Sequence, residues 1–159
     1  MNWLEVCEHP ALQNLPFKIE LDETGKIIMS PTKVYHSIYQ GEIIHLLFAL
    51  SSDGKAIAEC AIATRKGTKV ADVAWASSER LKIIWPEIEC SIAPEICVEV
   101  LSTTNTRNEM REKQQLYFES GALEVWLCNS AGQMTFFSPS GELDQSGLFP
   151  AFPKQLEKA

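Results

Sequence analysis

The chain has 159 residues, 45% hydrophobic and 22% charged, the make-up of an ordinary soluble globular protein able to bury one core. A formal net charge of −7 argues against sequence-blind coating of nucleic acid, while leaving room for a locally basic groove. The apolar run IIHLLFAL is too short to cross a bilayer, and MNWLEVCEHP lacks the basic region and apolar stretch of a secretory signal, so a cytoplasmic protein is expected.

Taken in chain order, Trp3, Leu4 and Val6 mark a short amphipathic start. FKIELDETGKIIMS reads as two strands around an Asp-Glu-Thr-Gly turn. Pro31 and Thr32 open a helix over about 33–50, with Ile43, Leu46, Leu47 and Leu50 as its apolar face and Ser51-Ser52-Asp53-Gly54 as its break. AIAECAIAT and KVADVAWAS are strand-like runs joined by the polar turn Arg65–Thr68, and a looser stretch containing Pro86 follows. EICVEVLS is the next strand. TTNTRNEMREKQQLYFESGAL is a helix capped by Asn105 or Thr106 and stopped at Gly121, with Met110, Gln114, Tyr117 and Phe118 inward. EVWLCN and QMTFFSP are strands across Ser130-Ala131-Gly132, and a loose tail ends in KQLEKA. This order predicts a single α/β (α+β) domain over 1–159, with its core at about 17–138, a central mixed sheet and helices on its faces.

Five cysteines are spread without a C-x-x-C pair, and Cys60 and Cys97 fall inside strands, which points to reduced, buried thiols. Neither they nor the three histidines have zinc-ligand spacing. No glycine-rich phosphate loop supports a nucleotide-binding domain, because Gly25, Gly41, Gly54 and Gly67 stand alone.

Two acids interrupt apolar strands: Glu99 in EICVEVLS and Asp72 in VADVAW. A buried, unpaired carboxylate is costly, so either each finds its own partners or both converge on a cation. Two carboxylates on adjacent strands suit a hard ion such as Mg²⁺, which takes one or two carboxylates plus water and phosphate oxygens. Lys113 shares its helix face with Met110 and Tyr117 and can lay its stem along the sheet. Its alternative is a surface pair with Glu109, worth a few tenths of a kcal/mol.

The stretches KIELDETGKIIMSPTKVYHSIYQGEI, ADVAW, PEICVEVLSTTNT and EMREKQQLYFESGALEVWL together resemble the Uma family of restriction-endonuclease-like domains, within the PD-(D/E)XK nuclease superfamily. The likeness spans roughly 17–129 and implies a restriction-endonuclease-like fold that cleaves DNA with Mg²⁺ or Mn²⁺. It further implies that Asp72 and Glu99 hold the metal with the Val100 carbonyl. Lys113 would stand in for the motif lysine, moved from the strand to the next helix. Three positions depart from the pattern: Ala71 replaces a proline before Asp72, Leu101 stands where the lysine usually lies, and Thr103 replaces a proline after Ser102.

His36 and Gln40 share a helix face with Ile43, Ile44 and Leu47, so they should point at the sheet. Gln40 is a candidate neutral or water-mediated metal ligand, against the reading that it merely finds a hydrogen-bond partner. Glu42 is two residues off that face and should be solvated. Glu20 either closes the site from above or pairs with Lys18 or Lys26. Ser102, lacking a G-x-S-x-G setting, should turn the chain. Basic residues cluster at Arg65, Lys66 and Lys69 and at Arg107, Arg111 and Lys113, as solvated faces or as a groove. The acidic balance implies weak affinity for naked DNA unless a homodimer forms a shared basic cleft. The missing strand lysine equally fits a degenerate domain that binds a protein or nucleic-acid partner.

Overall fold

Runs rich in Val, Ile, Ala and aromatic residues are buried on both faces only when helices cover both sides of the sheet they build. In the computed structural model, which describes residues 1–157, those runs form a six-stranded mixed sheet. The chain begins with α1 (Trp3–Glu8) and a 3-10 turn (Pro10–Leu12), then a separate hairpin of β1 (Phe17–Leu21) and β2 (Ile27–Pro31). Next come α2 (Val34–Leu50), β3 (Lys55–Thr64), β4 (Gly67–Ala76), α3 (Ser78–Ile84) and β5 (Ile96–Val100). The remainder is α4 (Arg107–Glu119), β6 (Glu124–Cys128), β7 (Met134–Ser138) and β8 (Gly141–Leu143).

Sheet order is β3-β4-β5-β6-β7-β8, antiparallel except for β5–β6, whose parallel pairing requires the crossover that α4 supplies. The Thr106 hydroxyl accepts from the Glu109 N–H at 3.1 Å and the Glu109 carboxylate accepts from the Thr106 N–H at 3.2 Å, a reciprocal cap that starts α4. Gly121 ends it at φ +112°. One face of the sheet packs against α2 through Tyr39, Ile43 and Leu47, and the other against α3 and α4 through Ile84 and Tyr117.

Several expectations need correction. The Pro86 stretch carries α3, started by Ser77 accepting from the Arg80 N–H, and the tail carries β8. Leu116 is buried in α4, with Phe118 only partly so, and Leu50 is exposed. Cys7 is exposed, while Cys60, Cys90, Cys97 and Cys128 are buried and free. The segment expected to be loose is instead part of the core: Phe149, Phe152 and Leu156 pack around Trp126 and Phe136. Only the last two residues of KQLEKA lie outside the described residues. Among the described residues no helix is long and apolar enough to cross a membrane.

Leu156 is 2% exposed. Leu156→Ala should therefore lower unfolding free energy by about 2–4 kcal/mol in urea titrations, where a frayed tail would give almost no change.

Candidate active site

Strands β4 and β5 pair only over Val73–Trp75 and Ile96–Val98, and beyond that they part. The residues at the parting are Asp72 and Glu99. Past it, β4 has an open edge, and its backbone groups must find partners elsewhere. Val70 finds both on the β1–β2 hairpin: its N–H donates to Glu20 Oε2 at 2.7 Å, and its carbonyl accepts from Lys18 Nζ at 3.0 Å. On the β5 side, the Val100 N–H donates to Asp72 Oδ2 at 2.8 Å. Side chains thus fill the ladder positions left open by the split.

The hairpin can sit so close because Gly67, at φ +85°, carries no Cβ; one there would collide with the carbonyl oxygens of Leu21 and Asp22. On its other side, β4 loses regular pairing at the same level. Glu59 takes a left-handed backbone, φ 50°, and the β3–β4 register passes from Ala58↔Val73 to Cys60↔Ala71 without a pair at Asp72. The Asp72 carbonyl accepts instead from Gln40 Nε2 at 2.8 Å.

Three acids and two lysines meet at the split. Lys18 Nζ lies 3.1 Å from Asp72 Oδ1 and 3.1 Å from Glu99 Oε2. Lys113 Nζ lies 3.0 Å from Glu99 Oε1 and 2.8 Å from Glu20 Oε2. The Tyr117 hydroxyl donates to Glu99 Oε1 at 2.6 Å, and His36 Nε2 stands 3.2 Å from Asp72 Oδ2. Asp72 is 1% exposed and Glu99 4%, so these contacts, not water, carry the charges. A cleft of about 450 Å³ between the hairpin, the α2 start and the 102–105 loop opens onto Lys18, Glu99 and Lys113.

Burial works against every charge here, and the partners decide the outcome. Burial would lower Lys18, but Glu99, Asp72 and Glu20 outweigh it and hold the ammonium charged. Burial would raise Asp72, yet the His36 contact and Lys18 keep its carboxyl well below the usual range. Glu20 is likewise held down by Lys113 and Lys18 against burial. Glu99, enclosed most completely, is pushed up by burial despite Lys113 and Lys18. Burial, then Glu99, raises the Tyr117 phenol, which stays a donor.

The structure brings the expected residues Asp72, Glu99 and Lys113 together. Lys113 does not pair with Glu109, which is spent on the α4 cap. Gln40 lies on the predicted face but binds the Asp72 backbone, and Glu42 is exposed. Glu20 pairs with Lys113 instead of Lys18 or Lys26. Ser102 turns the chain, bonding Thr104 and Asn105. Arg65 and Lys66 pair with Glu119 and Glu112 on the surface, whereas Lys69, the third member of that cluster, is partly buried and donates to the Leu21 carbonyl at 2.8 Å. Lys18, expected at most to pair with Glu20, is the site's central cation, and strand alternation in FKIEL does put it on the same side as Glu20. His36 Nδ1 is buried without a partner among the described residues.

Among the described residues no group of three or more His, Cys, Asp or Glu side chains is arranged to hold a metal. The oxygens of Asp72, Glu99 and the Val70 carbonyl nevertheless converge on one point, the Lys18 ammonium, at 3.0–3.1 Å. An all-oxygen set with two carboxylates fits a hard divalent cation once that ammonium leaves.

The family model of Uma2, described as "Putative restriction endonuclease", matches residues 4–151. Among solved structures the chain is similar to a "putative nuclease belonging to DUF820" from Anabaena variabilis ATCC 29413. The TM-score is 0.71 at 19% identity, over 89% of this chain and 82% of that one, a likeness of fold. No curated protein matches.

The depressed carboxyls of Asp72 and Glu20 stabilise the fold at any pH above their unfolded values, near 4, and that contribution is lost as pH falls further. Glu99 has the opposite sign: its raised value favours proton uptake by the folded form, so it adds stability as pH drops toward 4. Thermal melts should therefore be flat or slightly rising from pH 7 to about 4.5 and fall below about 4. Asp72→Asn should flatten that acid limb.

Proposed function

The chain belongs to the Uma2 family, and from that membership together with the carboxylate–lysine cluster we propose that it is a metal-dependent endonuclease hydrolysing DNA phosphodiester bonds. The observation that carries the reading is one linked cluster, Asp72 to Lys18 to Glu99 to Lys113, of which Lys18, Glu99 and Lys113 line a cleft. Asp72 and Glu99 would hold Mg²⁺ or Mn²⁺ with backbone carbonyls of Val70 and Val100. The Val100 N–H already points at Asp72, and in a strand a residue's N–H and C=O leave on the same side. Such an ion supplies a more acidic water and neutralises charge developing on the phosphate.

The chain's own groups do the rest. Lys113 orients the attacking water and stabilises charge on the phosphoryl oxygens, and Glu20 keeps its ammonium in place. Tyr117 fixes one oxygen of Glu99. His36 and the Val100 N–H fix one oxygen of Asp72, and Gln40 anchors the Asp72 backbone. Gln40 is thus a positioning residue. A homodimer that shares a basic cleft would reconcile the charge of −7 per chain with a polyanionic substrate, and the exposed Val34, Ile38 and Phe48 on the outer face of α2 offer it an apolar surface.

A second reading has one observation behind it: Lys18 fills the point where the acids converge, as it would in a catalytically degenerate domain that only binds a protein or nucleic-acid partner. The two readings part in the test tube. Plasmid and single-stranded DNA should be cut in Mg²⁺ or Mn²⁺ and spared in chelator, and Asp72→Ala or Lys113→Ala should reduce cleavage by at least about 100-fold. Wild-type rates in both variants would reject the nuclease assignment. Sedimentation should show a dimer that Phe48→Glu dissociates.

A further inference from the structure

Resting on the metal-dependent reading above, the geometry points to Lys18 as the resident cation of the site: a divalent ion binds only by displacing its ammonium. The Nζ atom is held by three oxygens at 3.0–3.1 Å, from Asp72, Glu99 and Val70. Those oxygens are the ones a hard cation would take. An ammonium and a divalent ion cannot share that point, because each repels the other and each needs the same lone pairs.

Charge compensation links the two cations. Glu20, Asp72 and Glu99 face two ammoniums, Lys18 and Lys113, with the His36 imidazole 3.2 Å from Asp72. Buried carboxylates are costly without a cation, so a site emptied of Lys18 draws in another. Lys18 is the ammonium that can go. It touches both metal-binding acids, it sits on a hairpin strand at the cleft wall, and its four-carbon stem can carry the charge out beside Ser30 and Lys33. Lys113 touches Glu99 but is also clamped by Glu20, away from Asp72, and stays.

Two consequences follow from the competition. Metal affinity is set by how tightly Lys18 is held, and Lys18 keeps the metal-free acids neutralised so that the hairpin stays docked. By linkage, removing the competitor strengthens metal binding by the factor with which the metal weakens the lysine's contacts.

The test is Mn²⁺ titration calorimetry and thermal melting of the full chain as wild type, Lys18→Met and Asp72→Ala. Lys18→Met should bind Mn²⁺ about tenfold more tightly or better, a usual size for coupling between two sites. Its metal-free form should melt below wild type, and saturating Mn²⁺ should raise its melting temperature by more than it raises the wild type's. Should Lys18→Met fail to fold, acylation of wild-type lysines read by mass spectrometry decides the point. Lys18 should be protected without metal and become reactive in saturating Mg²⁺, while Lys113 stays protected. Asp72-dependent Mn²⁺ binding that is no tighter in Lys18→Met, or Lys18 reactivity indifferent to bound Mg²⁺, overturns the displacement and leaves the metal site standing. Absence of Mn²⁺ binding in both wild type and Lys18→Met overturns the metal reading itself, and this inference with it.

Discussion

Everything at the candidate site follows from the parting of β4 and β5 at Asp72 and Glu99. A sheet that splits leaves backbone donors and acceptors without ladder partners, and here side chains take them. Charged side chains fill the gap: Glu20 and Lys18 on the two backbone groups of Val70, and Asp72 on the N–H of Val100. Acids recruited to a dry place then need cations, and Lys18 and Lys113 supply them. Backbone satisfaction and charge compensation are one network, so removing any member leaves a buried group unpaired.

The rest of the fold holds that split open. The left-handed backbone at Glu59 breaks the β3–β4 ladder level with Asp72, and Gln40 from α2 takes the freed carbonyl. Inner residues of α2, together with Phe149, Phe152 and Leu156, press one face of the sheet, while α4 presses the other and carries Lys113 and Tyr117 to Glu99. Gly67 lets the hairpin close over the parted strands. Three features here break a local rule: Glu59 at positive φ, the unpaired strand position at Asp72, and the buried acids. Such exceptions concentrate where a structure serves something other than stability.

What could be read from the sequence tracks how local the cause is. Strand periods, the α4 helix and the polar residues lodged in VADVAW and EICVEV are written in neighbouring residues, so Asp72 and Glu99 stand out unaided, while spacing leaves Lys113 between the sheet and Glu109 and the resemblance singles it out. The family resemblance names the fold that the Uma2 match and the similarity to the Anabaena variabilis structure show. Lys18 is different. In FKIEL it looks like a surface lysine beside Glu20, and its partners lie 54 and 81 residues away. No pattern within a strand specifies which long-range edge it will meet. The tail fails for a related reason: Phe149, Phe152 and Leu156 are spaced by loops, without a period, and only the aromatic surface of Trp126 and Phe136 makes them core. Short elements such as α3 and β8 give too few turns or alternations to be recognised.

A buried cluster of five charges is poor engineering for stability alone. Apolar groups of similar volume commonly serve a core as well or better, because desolvation consumes most of what ion pairing returns. The cluster therefore calls for a reason that the core does not supply. Its composition offers one: Lys18, Glu20, Glu99 and Lys113 line a cleft, and the cation at the centre sits on a long stem instead of a planar guanidinium. Buried acids gathered round one lysine at a cleft, with the ammonium held by three oxygens at 3.0–3.1 Å, are an arrangement whose cost a purely structural role does not explain.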